Sequence, residues 1–398
     1  SRRGSLPRKP GWHRIPSPSI YGRSAKNGRG GDDRRSGYSD QHGKISNQGR
    51  DEMTAFQAKD AKAALAIIGR VIDRRNTIPI LGNVMIKASG EKMTISGTDL
   101  DIYASAEIDC TDTEPFAITI TPKTFTAFIR GSIGAVSLTA TAETATLEND
   151  GMSMTVNLFC PASDMPVMGF DPKSSVEITE TMLHKALSSV AFAMSSEESR
   201  YSLNGVSLHS VDGNLRAVAT DGHRMAIYDL GVAWTFDPAI LPRKTALLLI
   251  SAMKPGGNHS VLIEQDRMKM RFTHPEWTIT SKMIDGKYPN YARTIPAPSD
   301  KFSCTISHAQ ISRIPDVGRC AILDPENGKL TCKELGQVSV SVPLQGHGPR
   351  VGFNIQYLKD FTRKHGVINI SSAGPGDPAM IKAEDSAFTG VLMPVMIM

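Results

Sequence analysis

The chain has 398 residues, of which 40% are hydrophobic and 21% charged, so it is long enough for two or three domains with ordinary apolar cores. No segment approaches the roughly 18 uninterrupted apolar residues of a membrane-spanning helix, and the first residues lack the apolar core of a secretory signal. The composition therefore excludes a helical membrane protein and predicts a cytoplasmic one.

The first 50 residues differ from the rest of the chain in charge. They contain 12 Lys and Arg against 3 Asp, whereas residues 51–398 contain 33 basic and 37 acidic residues. This segment is rich in Gly, Ser, Pro and Arg, so it cannot bury enough apolar surface to offset its ordering entropy. We therefore predict a disordered basic extension over residues 1–52. It is either an arm that adds phosphate contacts or an upstream extension without a role.

Stretches with helical apolar spacing repeat along the remainder of the chain. There are six such stretches, in two sets of three: one begins each repeat, and a second follows it within the same repeat. Within each set, successive stretches start roughly 115 to 125 residues apart. The six windows are Lys59–Arg75, Thr121–Ile133, Thr181–Glu198, Leu241–Gly257, Ser307–Leu323 and Asn354–Gly366. This period predicts three tandem domains, over residues 53–170, 171–298 and 299–398.

Strand-like segments lie between the paired helices. Residues 84–108 and 206–230 each contain a strand, a turn, a second strand, a Thr-Asp turn and a third strand. This order is typical of α+β domains with antiparallel sheets. The third domain is predicted to be shortened, because only the short segment 324–337 occupies the position where two strands are expected. Pro315 and Gly318 also interrupt its first helix.

The charges are distributed unevenly between helices and the rest of the folded part. The six windows contain 16 Lys and Arg but only 6 Asp and Glu. A solvated helix face normally mixes both signs, so this excess indicates a surface that follows a polyanion. Zinc-finger spacing, a helix-turn-helix signature and an aromatic RNA-binding motif are all absent. We therefore expect sequence-independent contact with the DNA backbone.

The segment Thr220–Arg224, with the sequence TDGHR, is the one candidate for catalysis. Asp221 and His223 have the chemistry of a general base or of metal ligands. However, no partner motif accompanies them, and the first repeat has Thr98-Asp99 at the equivalent turn. We therefore interpret the aspartate as a cap of its own backbone and predict no catalytic residue. A DNA-processing enzyme that uses Asp221 and His223 is the third and least favoured alternative.

The five cysteines lie far apart and have no CxxC or Cys/His ligand spacing. They are Cys110, Cys160, Cys304, Cys320 and Cys332. This pattern predicts free thiols in a reducing compartment and neither a metal nor a cofactor.

Several segments together resemble the beta subunit of bacterial DNA polymerase III, the sliding clamp. They run in family order from about Met53 to the end of the chain. The similar segments are Arg75–Ile86, Thr98–Ile108, Ser199–His209, Ala219–Leu230, Asp285–Pro296, Gly352–Leu358 and Val391–Met398. The resemblance implies three clamp domains per chain and two chains that close head-to-tail into a homodimeric ring, with helices lining a central hole.

The resemblance also implies a hydrophobic cleft between the second and third domains that binds short peptides of partner proteins. The second domain and the following linker contribute Leu203, Thr220, Gly222, His223, Arg224, Met225, Pro289, Arg293 and Thr294. The third domain contributes Asn354, Tyr357, Val391, Leu392, Met393, Pro394, Val395 and Met396.

Two further sets of residues are expected to contact DNA and the second chain. Arg75, Arg200 and Tyr201 match DNA-contact positions of the family. The excess of basic residues adds Lys123, Arg243, Lys244, Lys254, Lys359, Arg363 and Lys364. At the dimer interface Thr155 stands where a large apolar residue is expected, and Ile322 and Leu323 form the opposing surface. The absence of a large apolar side chain at the centre of an interface can weaken the binding free energy by about 2 kcal/mol.

The resemblance implies a non-catalytic processivity factor that encircles double-stranded DNA. The partners expected are the replicative polymerase subunit, the clamp loader, other proteins with a clamp-binding motif and a second copy of this chain. The main alternative is a divergent clamp that keeps the peptide cleft but does not encircle DNA, and acts as an accessory or inhibitory module.

Overall fold

The computed structural model describes residues 52–73, 76–315, 319–334 and 338–397, with only the backbone described at Glu52, residues 333–334 and Val338. The predicted extension over residues 1–52 lies outside this range except for Glu52. The predicted DNA-contact residue Arg75 also lies outside it.

The chain forms 23 strands and six α-helices within the described residues, arranged as three successive sets. We call these sets the first, second and third domains, after the predicted division. The first set is β1 (Glu52–Gln57), α1 (Ala58–Ile68), β2 (Val84–Thr98), β3 (Ile102–Ile120), α2 (Pro122–Gly131), β4 (Ala135–Ala140), β5 (Thr144–Asn149) and β6 (Met152–Asn157). The second set is β7 (Ser174–Thr179), α3 (Glu180–Val190), β8 (Gly205–Val211), β9 (Asn214–Thr220), β10 (Arg224–Ala233), β11 (Ala239–Pro242), α4 (Arg243–Ala252), β12 (Ser260–Gln265), β13 (Lys269–His274) and β14 (Trp277–Lys282).

The third set completes the chain. It is β15 (Phe302–Ser307), α5 (His308–Ile311), β16 (Cys320–Asp324), β17 (Lys329–Glu334), β18 (Val338–Pro343), β19 (Gln345–His347), β20 (Val351–Asn354), α6 (Ile355–His365), β21 (Val367–Ser372), β22 (Ala379–Ala383) and β23 (Phe388–Leu392). None of the helices in the described ranges is long and apolar enough to cross a membrane.

Local sequence signals explain where the helices begin and end. Pro122 stands in the first turn of α2, where a missing backbone N–H costs nothing. The Thr179 hydroxyl caps α3 by accepting from the Met182 amide at 3.3 Å, and the Asn354 side chain caps α6. Helix α6 ends at Gly366, whose φ of +73° is readily adopted only by glycine. Five of the six predicted windows therefore contain a helix of 10 or 11 residues.

Two large sheets join the domains through antiparallel strand pairing. The first has the order β6-β5-β4-β1-β3-β14-β13-β12-β7, with β2 paired to β3. The second has the order β11-β8-β9-β10-β23-β22-β21-β15-β19, and β18-β17-β16-β20 form a smaller sheet. Strand β3 of the first domain pairs with β14 of the second, and β10 of the second pairs with β23 of the third. The prediction of α+β domains with antiparallel sheets is confirmed.

The third domain differs from its prediction in a specific way. Helix α5 covers only His308–Ile311 of the predicted window, beginning at a capping box between Ser307 and Gln310. The segment 324–337 does contain a strand, β17, which forms a hairpin with β16. The reduction therefore affects the first helix more than the strands. Proline at position 315 is consistent with the early helix end, since proline removes a backbone donor.

Candidate functional site

The segment Thr220–Arg224 forms a tight turn between β9 and β10. The Thr220 hydroxyl donates to the Arg224 carbonyl at 2.6 Å and accepts from the Gly222 amide at 3.1 Å. Asp221 Oδ1 accepts from the amides of His223 and Arg224 at 2.9 and 3.0 Å. Since Asp221 Oδ2 accepts from Arg224 Nε at 3.0 Å, both carboxylate oxygens are occupied. The prediction that this aspartate caps its own backbone is confirmed.

The first domain repeats this turn almost atom for atom. The Thr98 hydroxyl donates to the Ile102 carbonyl at 2.8 Å and accepts from the Leu100 amide at 3.0 Å. Asp99 Oδ1 accepts from the amides of Asp101 and Ile102 at 3.0 and 2.7 Å. Leu100 and Gly222 stand at the same place, with φ of +76° and +90°. A bond pattern that recurs in both domains indicates a structural rather than a catalytic turn.

An apolar cavity of about 250 Å³ opens beside the second of these turns, between the second and third domains. Most of the residues that line it come from the turn and the start of β10, from the linker after the second domain and from the end of β23, and Leu203 comes from the segment before β8. They are Leu203, Thr220, Gly222, His223, Arg224, Met225, Pro289, Asn290, Tyr291, Thr294, Val391 and Met393. The exposed lining is mainly apolar, with a few polar groups at its rim. Such a surface suits an extended peptide with apolar side chains.

Ten of the seventeen predicted cleft residues line this cavity. The seven that do not line it are Arg293, Asn354, Tyr357, Leu392, Pro394, Val395 and Met396. Leu392 is fully buried in the core, so its side chain cannot contact a ligand. Successive side chains of a strand point to opposite faces, which explains why Val391 reaches the cavity and Leu392 does not.

Beyond β23 the chain forms an exposed apolar margin next to the cavity. Met393 donates its amide to the His223 carbonyl at 2.9 Å, and Val395 donates to the Gly352 carbonyl at 2.8 Å. These two bonds fix the segment against the turn and against β20. The side chains of Met393, Val395 and Met396 are 42%, 37% and 89% exposed. Val391 and Met393 therefore line the cavity, and Val395 and Met396 extend the apolar surface beside it.

Arg224 connects the cavity to the third domain. Its Nη1 donates to Asp360 Oδ2 at 2.6 Å, and its guanidinium lies 4.3 Å from the Tyr357 ring centroid. The Arg224 side chain is only 10% exposed, so its charge depends on Asp221 and Asp360 for compensation. Tyr357 does not line the cavity and contacts it through Arg224.

Sequence reasoning missed Asn290 and Tyr291, although both lie within a segment that carries the family resemblance. The Tyr291 hydroxyl lies 2.8 Å from His209 Nε2, and its ring packs near Val218, Met225 and Ile227. Burial lowers the pKa of His209, so its imidazole favours the neutral form. An aromatic residue between Pro289 and Arg293, in a linker already assigned to the cleft, was the available signal.

The predicted DNA-contact residues lie in different environments. Lys123 is exposed on α2, Tyr201 is 57% exposed, and Lys254 is exposed and pairs with Glu276 at 3.4 Å. Several others bond to protein groups. Arg200 pairs with Glu197 at 3.2 Å, Arg243 donates to the Met194 carbonyl, Lys244 pairs with Asp99, Arg363 pairs with Asp360 and Lys364 donates to the Ser188 hydroxyl.

Lys359 requires a correction. Its side chain is only 7% exposed, and its ammonium donates to the Ile314 carbonyl at 2.7 Å. It lies four residues after the fully buried Ile355 on α6 and thus on the inner face of that helix. Lys359 therefore supports the third domain internally, and its ammonium is not presented to DNA.

The predicted interface residues Thr155, Ile322 and Leu323 differ in exposure. Thr155 is exposed on β6, an outer strand of the first sheet, and its hydroxyl lies 2.9 Å from that of Thr146. Ile322 and Leu323 lie on β16 rather than on a helix and are 7% and 0% exposed. Within the single chain neither side chain offers much apolar surface, and their place at the interface stays a prediction.

Comparison with known proteins agrees with this architecture. The N-terminal domain of the DNA polymerase III beta subunit matches residues 59–168, and its central domain matches residues 177–290. The beta sliding clamp of Caulobacter vibrioides is 32% identical, over 84% of this chain and 97% of the relative. That of Pseudomonas aeruginosa is 30% identical, over 74% and 86%.

Solved structures match over the same extent. A sliding clamp from Bartonella birtlesii, solved with bound griselimycin, superimposes with a TM-score of 0.81 at 26% identity and covers 87% of this chain and all of that one. The sliding clamp from Caulobacter crescentus gives a TM-score of 0.77 at 29% identity, with the same shares covered. Similarity in sequence, domain order and tertiary structure leads to one conclusion: the chain belongs to the beta sliding clamp family of bacterial DNA polymerase III.

Proposed function

We propose that this chain is a DNA polymerase processivity factor. Two copies form a ring around duplex DNA, and the ring holds the replicative polymerase near the primer end at a high effective concentration. The chain itself makes and breaks no covalent bond. It acts in the cytoplasm, where replication takes place.

The observation that carries this proposal is the extent of the similarity to beta sliding clamps, which covers 84% of this chain and 97% of one relative. A ring requires every domain of the chain, because the two ends must meet those of a second copy. Similarity confined to one domain would support only a shared module. The continuous strand pairing at β3–β14 and β10–β23 also supports a chain whose domains act together.

Ring closure can be argued from the two domain junctions inside the chain. At each junction, a strand that follows a Thr-Asp turn pairs with the last strand of the next domain. Strand β18 follows β17 as β10 follows β9, and it ends the smaller sheet. Strand β6 is the last strand of the first domain and ends the first sheet. The repeat therefore supports pairing of β18 with β6 of a second copy.

This junction is more polar than the family resemblance would suggest. Ser339 and Ser341 are exposed on β18, and Thr155 is exposed on β6. Pairing through backbone hydrogen bonds tolerates such side chains, but apolar anchors contribute much of the affinity at most interfaces. Closure therefore depends more on backbone pairing here than on apolar packing.

The cavity beside the Thr220–Arg224 turn is the docking site for partners. Its mainly apolar lining and the exposed Met393 and Met396 suit a short peptide with apolar side chains. The replicative polymerase subunit, the clamp loader and other proteins with a clamp-binding motif would use the same site. Competition for one cavity is then the means by which these partners exchange.

The test is topological retention. The full chain is placed on nicked circular DNA with a bacterial clamp loader and ATP, separated from free protein, and then the circle is cut. A processivity ring stays bound to the circle and leaves after cutting, because its linkage to DNA is topological. Retention that is unchanged by cutting, or no retention on the circle, contradicts the proposal.

Size measurement separates this function from that of an accessory module. A dimer at micromolar concentration agrees with a ring. A strict monomer that still binds a clamp-motif peptide would instead identify a module that uses only the cleft.

A further inference from the structure

The junction between the first and second domains contains a structural counterpart of the peptide cavity. At the second junction the Met393 amide donates to the His223 carbonyl at 2.9 Å. At the first junction the Lys282 amide donates to the Asp101 carbonyl at 2.8 Å. The antiparallel pairing of β14 with β3 beside this bond repeats the pairing of β23 with β10. Each cavity position in the turn and at the end of β23 therefore has an equivalent beside the Thr98–Ile102 turn, a surface that we call the counterpart site.

Several walls of the counterpart site consist of the same residue types as those of the peptide cavity. Thr98 stands in the place of Thr220 and makes the same two hydrogen bonds. The short 3-10 turn before β2 contains a leucine, as does the one before β8, and each domain linker has a proline before its own 3-10 turn. These pairs are Leu81 and Leu203, and Pro161 and Pro289. The counterpart site is therefore built on the same plan as the cavity.

One difference between the two junctions concerns the third residue of the turn. Gly222 lines the peptide cavity and has no side chain, whereas Leu100 at the equivalent position adds an isobutyl group and is 40% exposed. Their φ angles are +90° and +76°, so the backbone is similar and the difference lies in the side chain. A positive φ is strained for leucine, and such a residue persists where the surrounding structure or a function retains it. Leu100 therefore takes up space that Gly222 leaves open to a ligand.

Two further differences introduce charge. His223 and Met393 line the peptide cavity. Their equivalents Asp101 and Lys282 form an ion pair, with 3.1 Å between Oδ1 and Nζ. These two side chains are 75% and 50% exposed, so both charges are hydrated. An apolar ligand that covered the pair would remove this water, and the desolvation of two charges is unfavourable. Met393, by contrast, offers apolar surface that gains from being covered.

From these differences we propose that Leu100, Asp101 and Lys282 restrict peptide docking to the second junction. They act by excluding apolar peptide side chains from the counterpart site, through the volume of the leucine and the hydration of the two charged residues. The inference rests on the proposed function, since it concerns the same docking motif. Its consequence is a single docking site on each chain, so that all partners of one chain compete for the same cavity.

The experiment measures binding stoichiometry by isothermal titration calorimetry, with the full chain and a synthetic peptide that carries a clamp-binding motif. The opening variant, Leu100→Gly/Asp101→His/Lys282→Met, gives the counterpart site the residues of the cavity. Replacing leucine by glycine relieves strain at a positive φ, and an exposed ion pair contributes little to stability, so this variant should fold. The control variant, Lys92→Met/Asp109→His, makes the same change in an exposed ion pair of 2.9 Å between β2 and β3.

A reverse variant, His223→Asp/Met393→Lys, places the ion pair of the first junction at the second. Wild type is expected to bind one peptide per chain and the opening variant two, with the second event no more than about ten-fold weaker than the first. The reverse variant should bind at least about ten-fold more weakly than wild type. The opening and reverse changes combined should leave one peptide per chain, bound at the first junction. The control variant should behave as wild type.

Other stoichiometries and affinities would overturn the inference. One peptide per folded chain of the opening variant, or two per wild-type chain, does so and leaves the docking function standing. A reverse variant with wild-type affinity shows that the ion pair does not exclude peptides, and it also overturns the inference. A wild type that binds no peptide contradicts the docking site itself and the inference with it. If circular dichroism shows that the opening variant is misfolded, Leu100→Gly/Lys282→Met takes its place, with the same expected stoichiometry and the same contradicting result.

Discussion

Arg224 and Asp360 form an ion pair across the junction between the second and third domains, with 2.6 Å between Nη1 and Oδ2. The junction between the first and second domains has a counterpart in the pair Asp99–Lys244. In both cases a residue of the Thr-Asp turn in one domain meets the second helix of the next. The turn thus aligns neighbouring domains, and at the second junction it also forms a wall of the peptide cavity. Domain alignment and cleft shape are therefore linked through Arg224.

Replacing Asp360 by Asn is expected to lower the free energy of unfolding by about 2 kcal/mol, because Arg224 is largely buried and loses a charged partner. Urea denaturation followed by circular dichroism measures the change. Glu276→Gln serves as the control, since its pair with Lys254 is exposed at 3.4 Å and should contribute less than about 0.5 kcal/mol. Equal effects of the two substitutions would argue against Arg224–Asp360 as a junction contact.

The sequence predicted more of the fold than of the candidate site. The Thr98-Asp99 and Thr220-Asp221 turns were recognisable because their hydrogen bonds are local. The apolar run at residues 321–323 is too short to distinguish helix from strand by periodicity, which explains why the predicted helical window extends over Ile322 and Leu323, which lie on β16. The cleft depends on how the linker 289–294 folds back over the β9–β10 sheet, and no local pattern contains that information.

The misassignment of Lys359 has a different origin. Counting charges treats every lysine on a helix as exposed, but the helix period places Lys359 one turn after Ile355 on the buried face of α6. A helical projection of this window places Lys359 on the stripe of Ile355, Leu358 and Thr362 and separates it from Lys364, whereas Arg363 follows Lys359 by about one turn. By contrast, no projection reveals that Lys244 and Lys364 bond to neighbouring domains, because those contacts depend on tertiary structure.

Tyr291 is expected to determine the shape of the peptide cavity through its ring rather than its hydroxyl. Tyr291→Ala should weaken binding of a clamp-motif peptide about ten-fold, because it removes an aromatic wall. Tyr291→Phe keeps the ring and loses only the bond to His209, so affinity should fall less than about three-fold. Isothermal titration calorimetry distinguishes the two. Equal losses in both variants would assign the effect to the hydrogen bond instead.

Stability is expected to decrease in weak acid because of a histidine at the second junction. His365 packs between Phe192 and Phe388, and burial lowers its pKa to about 4. In the unfolded chain this histidine has its ordinary pKa near 6.5. Between that pH and about 4 it is therefore mostly protonated in the unfolded chain and mostly neutral in the folded chain. The free energy of unfolding therefore falls as the pH decreases from about 6.5 towards 4, and by about 2 kcal/mol at pH 5 from this residue alone.

Urea denaturation at about pH 7 and pH 5 measures this dependence in wild type and in His365→Gln. The variant lacks the titrating group, so its loss of stability between the two pH values should be smaller by about 2 kcal/mol. Burial also lowers the pKa of His184, His209 and His274, and these residues maintain part of the dependence in both proteins. The same pH dependence in the variant as in wild type would show that His365 is not the group responsible.

Thr155→Leu is expected to strengthen association of two chains. Thr155 is exposed on β6, the strand that we propose pairs with β18 of the second copy, and an apolar side chain there gains contact only when the partner strand is present. Such a cross-strand contact contributes up to about 1 kcal/mol, and a head-to-tail ring of two chains contains two of these junctions, so the dimer dissociation constant should fall by up to about thirty-fold. Analytical ultracentrifugation measures it. The control Thr146→Leu changes the adjacent residue on β5, which already has strands on both sides, and should leave dimerisation unchanged. If Thr146→Leu strengthens dimerisation as much as Thr155→Leu does, a general gain in surface apolarity explains the effect. That result would contradict the proposal that β6 lies at the interface.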